Sequence, residues 1–161
     1  LIKYIMIDQI PDIIVPLIHK GNVTKHKLTE ELNNKKVVIF GVPGAFTPTC
    51  SEKHLPDFIS NYSLFKEKNI DDIYCLSVND AFVMKAWLKD YECGDKIIGI
   101  ADGNGELSSA LKVLVDKSAN FMSYRSNRFA MIVVNNEIQN LFVEKSGEYN
   151  VSSAEYILKQ I

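Results

Sequence analysis

Apolar and polar residues follow one another along this chain with two different periods, one typical of strands and one typical of helices. Residues Val37–Val42 are all apolar or glycine, which predicts a buried strand. The next segment carries apolar residues three or four positions apart, as one face of a helix requires. They are Leu55, Phe58, Ile59, Tyr62 and Phe65. A helix that begins near Cys50 is therefore expected.

The same alternation continues to the C-terminus. It predicts strands at 73–78, 97–101, 128–134 and 138–143, and helices between Asn79 and Gly94, at 107–111 and at 152–161. Asp80 and either Ser152 or Ser153 are the expected helix caps, and Asn135 and Asn136 are suited to a hairpin turn. The first 35 residues predict a strand or hairpin and one helical turn at 28–32.

Strands that alternate with helices predict an α/β domain whose sheet is covered on both faces. The order found here is compatible with a thioredoxin-like fold, in which a central mixed β-sheet is flanked by helices. The chain has 161 residues and is 47% hydrophobic, which is enough for one core. We therefore expect a single domain spanning residues 1–161.

Composition excludes several classes of protein. The formal net charge is −2, so no excess of positive charge indicates nucleic acid or an anionic membrane surface. The apolar runs are shorter than the roughly 18 residues of a membrane helix. The three cysteines form neither a Cys-x-x-Cys pair nor a zinc motif, which favours an intracellular reducing compartment. Because the chain starts at Leu1, we expect the cytoplasm, or a mitochondrion or plastid after removal of a targeting segment.

The segment 41–56 carries the chemistry. It leaves a strand, turns at Pro43 and Gly44, and enters the predicted helix at Cys50. Unpaired N–H groups and the positive end of the helix dipole stabilise a thiolate held at a helix start, and the thiolate is the nucleophilic form of cysteine. The hydroxyl of Thr47 lies three residues away, where it can reach the sulfur and hydrogen-bond a substrate bound there, while Pro43 stiffens the loop.

A cationic partner for this sulfur is missing from the local segment. Arg125 and Arg128 are the only arginines in the chain. From the residues alone, either one could complete the site.

The segment resembles the active site of a known family. Pro43-x-x-x-Thr47-x-x-Cys50 is similar to the peroxiredoxin motif, and the run from Phe40 to Cys50 followed by His54-Leu-Pro resembles the atypical peroxiredoxin-five type. The likeness continues through residues 75–83, 101–102 and 128–134.

This resemblance implies a thiol peroxidase that reduces hydrogen peroxide and alkyl hydroperoxides, for antioxidant defence and redox homeostasis. Cys50 would be the peroxidatic cysteine that becomes a sulfenic acid, with Thr47 and Pro43 as loop partners and Arg128 as the guanidinium that polarises the peroxide. It further implies no metal, haem or flavin, and a homodimer formed by the loops around Thr47-Pro48 and residues 80–83.

One position departs from many relatives of this type. Val151 occupies the place of their resolving cysteine, so a one-cysteine enzyme is expected, recycled by glutathione with glutaredoxin or by thioredoxin. Cys75 and Cys93 are the alternative resolving thiols. The sequence pattern predicts that Cys75 is a packed strand residue and that Cys93 is an exposed thiol at a helix end.

Other interpretations stay open at this point. His54, one turn after Cys50, could tune the charge of the site or make a structural hydrogen bond. A dithiol oxidoreductase would need a second cysteine near Cys50, which residues 51–53 do not supply. A peroxide-sensing redox switch or chaperone-like dimer would oxidise Cys50 without efficient turnover.

Overall fold

The structure is a computed structural model that describes residues 7–161, so the part of the predicted domain at 1–6 lies outside the described residues. Residues 7–161 form nine strands, which are β1 (Ile14–His19), β2 (Asn22–Lys27), β3 (Lys36–Val42), β4 (Asp72–Ser77), β5 (Ile98–Ala101), β6 (Leu114–Asp116), β7 (Tyr124–Ser126), β8 (Phe129–Val134) and β9 (Glu137–Val143). They also form six α-helices, which are α1 (Leu28–Glu31), α2 (Leu55–Ser60), α3 (Tyr62–Glu67), α4 (Ala81–Lys89), α5 (Glu106–Ala110) and α6 (Ala154–Leu158).

Seven of the strands build one mixed sheet in the order β2-β1-β5-β4-β3-β8-β9, and β6 pairs with β7 separately. The central strands β3, β4 and β5 run parallel, whereas the hairpins β1–β2 and β8–β9 add antiparallel edges. The predicted thioredoxin-like α/β architecture, a mixed sheet flanked by helices, is confirmed.

Strand β3 is buried on both faces because helices cover both sides of the sheet. Val38, Phe40 and Val42 belong to a core cluster that includes Phe58, Phe65, Met84, Trp87 and Ile157, contributed by α2, α3, α4 and α6. Val37 and Ile39 belong to the opposite cluster, which includes residues of α1 and α5. This burial explains the uninterrupted apolar run in the sequence.

The end of β3 lies beside the start of β8, because Gly41 pairs with Phe129. A Cβ atom built on Gly41 would stand 2.0 Å from the Phe129 ring, so the ring occupies the space that a side chain would take. The close approach brings Arg128, the residue before β8, to the loop that follows β3.

The predicted caps and turn are confirmed. Asp80 accepts from the Val83 amide and Ser153 from the Tyr156 amide, and Asn135 and Asn136 take positive φ angles of 46° and 66° in the hairpin turn. The β6–β7 pair was not predicted, because three-residue strands are too short to show an alternating pattern. Within residues 7–161, no helix has both the length and the apolar character needed to cross a bilayer.

Candidate active site

Cys50 lies in the first turn of the helix that follows β3, as the sequence predicts. Helical structure starts at Pro48, passes through a π-helical turn at Cys50–His54 and continues as α2. Pro56 explains the wide turn, since it has no N–H for the Glu52 carbonyl and its ring would clash with that carbonyl in an α-helix. The Leu55 amide instead donates to the Cys50 carbonyl.

Arg128 is the cation that contacts the sulfur. Its Nη2 donates to Cys50 Sγ at 3.1 Å, and its own carbonyl accepts from the Glu144 amide at 2.9 Å, which ties the residue to the end of β9. Cys50 is only 1% exposed, so the guanidinium contact is made largely away from water. The contact places a fixed positive charge directly against the sulfur.

Arg125 lies elsewhere. Its Nε donates to the Met122 carbonyl at 2.9 Å and its Nη1 to the Val78 carbonyl at 3.5 Å. It supports the loop at Gly44 and the end of β4 without touching the sulfur. The structure thus separates the two arginines that the local sequence left equivalent.

His54 is fully buried and holds Arg128 in place. Its Nε2 donates to the Ser152 carbonyl at 2.9 Å, and its Nδ1 accepts from Arg128 Nη1 at 2.9 Å. A carbonyl only accepts and a guanidinium only donates, so these partners require the neutral ring with its proton on Nε2. Burial, together with the charge of Arg128, lowers the pKa of His54 to about 3 against a weaker opposing effect of the Ser152 bond.

The Ser152 carbonyl is positioned by a loop, residues 144–152, that two carboxylates organise. Glu144 Oε2 accepts from the Ser152 amide at 3.0 Å and its hydroxyl at 2.7 Å, and also from the Asn150 amide. Burial acts to raise the pKa of Glu144, but these hydrogen bonds outweigh it and the net shift is downward. Asp57 Oδ2 accepts from the Tyr149 hydroxyl and from the amide of Ala154, just beyond the loop.

Pro43 and Thr47 lie beside Cys50 in the loop, but the hydroxyl of Thr47 does not donate to the sulfur. It donates to the Gly44 carbonyl at 2.6 Å, a bond that closes the loop on itself. The oxygen of that hydroxyl keeps its lone pairs, so it can accept an O–H from a peroxide. The expected contact between Thr47 and the sulfur is therefore replaced by a contact within the loop.

The other two cysteines occupy the environments predicted for them. Cys75 is fully buried in β4 and belongs to the same core cluster as Cys50. Burial raises the pKa of the Cys75 thiol well above its ordinary value, the neighbouring Cys50 adds to this, and Arg128 partly opposes it. Cys93 is exposed after α4. All three cysteines are free thiols.

A cavity of about 310 Å³ opens beside the buried sulfur. Its lining includes Pro43, Thr47, Thr49 and Arg128. The cavity therefore lets a small molecule reach the Thr47 hydroxyl and the Arg128 guanidinium, which itself contacts the Cys50 sulfur. Such a set is suited to attack on a polar O–O bond, because the guanidinium can stabilise charge that develops on the departing oxygen.

Sequence reasoning identified His54 but missed the groups that position it, the Ser152 carbonyl and the carboxylate of Glu144. The Ser152 carbonyl carries no sequence signal, since every residue has one. Glu144 does have a sequence signal, since it directly follows the apolar end of β9. A carboxylate that is buried there needs hydrogen-bond partners.

Comparison with known proteins gives consistent results. The Redoxin family matches residues 7–158 of this chain. Peroxiredoxin-2D from Arabidopsis thaliana is 49% identical over 127 residues, which make up 79% of this chain and 78% of that protein.

Two solved structures have similar folds. Reduced Prx3 in complex with H₂O₂ from Vibrio vulnificus is 41% identical with a TM-score of 0.89, over 94% of this chain and 95% of that one. The Plasmodium falciparum antioxidant protein, a 1-Cys peroxiredoxin, is 38% identical with a TM-score of 0.87, over 96% of this chain and 98% of that one.

Proposed function

This chain belongs to the peroxiredoxin family of thiol-dependent peroxidases, and from that premise we propose that Cys50 is its peroxidatic cysteine in a one-cysteine cycle. The observation that carries the proposal is the 3.1 Å contact between Arg128 Nη2 and Cys50 Sγ at the edge of an open cavity.

In the proposed first step the Cys50 thiolate attacks one oxygen of hydrogen peroxide or an alkyl hydroperoxide. The S–O bond forms as the O–O bond breaks, Cys50 becomes a sulfenic acid, and the departing oxygen takes a proton to leave as water or an alcohol. Arg128 stabilises the charge on the departing oxygen, and Thr47 orients the peroxide by accepting its O–H. Pro43 shapes the cavity wall.

His54 acts in this scheme as a positioning residue. Because its ring stays neutral, Nδ1 remains an acceptor for Arg128 across the working pH range. The guanidinium then presents Nη2 to the sulfur without rotating away.

The second half of the cycle uses an external thiol. Val151 stands where a resolving cysteine would be expected, and Cys75 is buried in a strand, which opposes the movement and ionisation that resolution needs. The similar Plasmodium falciparum protein is named a 1-Cys peroxiredoxin. We propose glutathione, assisted by glutaredoxin, as the reductant, with thioredoxin as the alternative, and no bound cofactor.

We also propose a homodimer. Phe46 and Phe82 are 53% and 85% exposed, and they lie in or beside the two segments expected to form the contact. Such exposed aromatic residues are typical of interfaces. Sedimentation of the protein and of Phe82→Glu should give a dimer and a monomer, and a monomeric wild type would contradict the proposal.

An intracellular reducing compartment, the cytoplasm or an organelle, is the location we propose. The presence of three free thiols supports it. Imaging of the full-length tagged protein in its own cells would test this.

The catalytic cysteine is tested by three single substitutions. Cys50→Ser should abolish peroxide consumption with glutathione, glutaredoxin or thioredoxin, whereas Cys75→Ser and Cys93→Ser should retain it. Mass spectrometry should find sulfenic acid or a glutathione adduct on Cys50. A stoichiometric disulfide from Cys50 to Cys75 or Cys93 would refute the one-cysteine cycle, and a single oxidation without turnover would favour a redox sensor.

The catalytic role of Arg128 is tested by a matched pair of arginine substitutions. Arg128→Met should lower the rate constant for peroxide reduction by about 10²- to 10³-fold, the usual loss when one donor to a developing anion is removed. Arg125→Met removes the same charge from a residue that does not touch the sulfur, so its effect should be much smaller. Equal losses would show that Arg128 has no special role.

A further inference from the structure

A second cavity, of about 160 Å³, adjoins the first and shares its active-site wall. Pro43, Thr49, Lys117 and Arg128 line both cavities. The far wall of the second cavity is formed by Asn127 and residues 144–148. A molecule seated there would lie against Arg128, the residue that contacts Cys50.

Charged groups of both signs face this second cavity. Lys117 is half-buried and Lys145 exposed, and neither ammonium group makes an ion pair within residues 7–161. Of the two carboxylates, Glu148 is exposed and Glu144 is only 7% exposed.

Glu144 lines the cavity with a carboxylate that the loop already encloses. Its Oε2 is occupied by the loop, but its Oε1 is buried and has no hydrogen-bond partner among the described residues. Because this oxygen is enclosed, a ligand in the cavity meets the ammonium groups of Lys117 and Lys145 and the exposed carboxylate of Glu148.

We propose that this second cavity binds the thiol reductant, and that the reductant is a small peptide thiol of the glutathione class, which carries an ammonium group and two carboxylates. Lys117 and Lys145 attract its carboxylates, and the exposed carboxylate of Glu148 attracts its ammonium group. The inference rests on the proposed one-cysteine cycle and names the binding site for its reductant.

The chemistry at this position balances. The thiol sulfur attacks the sulfenic sulfur of Cys50, an S–S bond forms, the S–O bond breaks, and the hydroxyl leaves as water with the thiol proton. A second thiolate then attacks the mixed disulfide, releasing the Cys50 thiolate and the oxidised disulfide of the reductant. Two thiols thus supply the two electrons that the peroxide took.

The reduction step tests the proposal when it is isolated from the peroxide step. Cys50 is oxidised with one equivalent of peroxide, and the oxidised protein is mixed with glutathione or with 2-mercaptoethanol, which has no charged groups. The fluorescence of Trp87, whose indole donates to Ser51 Oγ at 2.9 Å beside Cys50, follows the reaction. The quantity compared is the rate constant with glutathione divided by the rate constant with 2-mercaptoethanol.

Lys117→Gln and Lys145→Gln should each lower this ratio by roughly three- to fivefold, the range expected for a partly exposed ion pair, and the double variant by roughly tenfold or more. Lys25→Gln, which removes the same charge from the exposed edge strand β2, should leave the ratio unchanged. With the wild type, glutathione diethyl ester should react more slowly than glutathione relative to 2-mercaptoethanol, because its carboxylates are masked. With the double variant, the ester and glutathione should react at similar rates.

The outcomes separate the two proposals. If wild-type protein turns over with glutathione but the ratio is the same in the lysine variants, the cavity is not the reductant site and the one-cysteine cycle stands. If the wild type does not react with glutathione at all, both the cycle with this reductant and the binding site are refuted.

Discussion

The positioning role of His54 is tested by two amides that each replace one half of its ring. His54→Asn places a carbonyl oxygen near the site of Nδ1, so it keeps an acceptor for Arg128 and loses the donor to Ser152. His54→Gln places an N–H near the site of Nε2, so it keeps the donor to Ser152 and loses the acceptor for Arg128. The two variants therefore separate the contact to the guanidinium from the contact to the loop.

The size of the effect follows from the bond that is lost. A hydrogen bond to a charged group is worth about 1.5–3 kcal/mol, and about 1.4 kcal/mol corresponds to a tenfold change in rate. Apart from His54, the guanidinium of Arg128 is held by its contact to the sulfur and by the Tyr149 ring, whose centroid lies 6.0 Å away. We expect His54→Gln to slow Cys50 oxidation by roughly 10- to 100-fold and His54→Asn by less than about fivefold.

Stopped-flow mixing with hydrogen peroxide, followed by the fluorescence of Trp87, measures this step directly because Trp87 is the only tryptophan in the chain. Since the ring is already neutral above its pKa of about 3, the shape of the rate profile between about pH 5 and pH 8 should be the same in His54→Asn as in the wild type. Wild-type rates in His54→Gln, or larger losses in His54→Asn, would refute the positioning role.

Three further predictions concern stability, and chemical denaturation measures each of them. The pKa of His54 is about 3 when folded and 6.5 ordinarily, so the unfolded chain binds a proton that the folded chain does not, and stability falls as the pH falls. Between about pH 7.5 and pH 5 the wild type should lose about 2 kcal/mol more than His54→Asn, and equal losses would contradict a neutral buried ring. Gly41→Ala should cost about 1–3 kcal/mol because its Cβ would overlap the Phe129 ring, whereas Gly103→Ala, with no neighbour closer than 3.7 Å, should change stability by less than about 0.5 kcal/mol. Glu144→Gln should cost about 1–3 kcal/mol, because it weakens the bonds that organise the loop and leaves a buried amide N–H where Oε1 has no partner; no loss would contradict that role.

Much of the fold was accessible from local sequence pattern. The apolar run at Val37–Val42 and the paired asparagines of the hairpin each identified an element that the structure contains. The spacing from Leu55 to Phe65 predicted one helix, which the structure divides at Asn61 into α2 and α3. These signals are local because a strand, a helix and a turn depend on residues close together in the chain. The same local logic placed Cys50 at the start of a helix and Cys75 in a buried strand.

The contacts between the site residues are not local, and the fold determines them. Arg128 lies 78 residues from Cys50 and 74 from His54, and the Ser152 carbonyl lies 98 residues from His54. No periodicity spans such distances; they are bridged because β8 pairs with β3 and the loop after β9 folds over α2. The sequence by itself limited the arginine expected beside Cys50 to two positions, and the family resemblance favoured Arg128. The contact with the sulfur, and what holds the guanidinium there, depend on strand pairing in three dimensions.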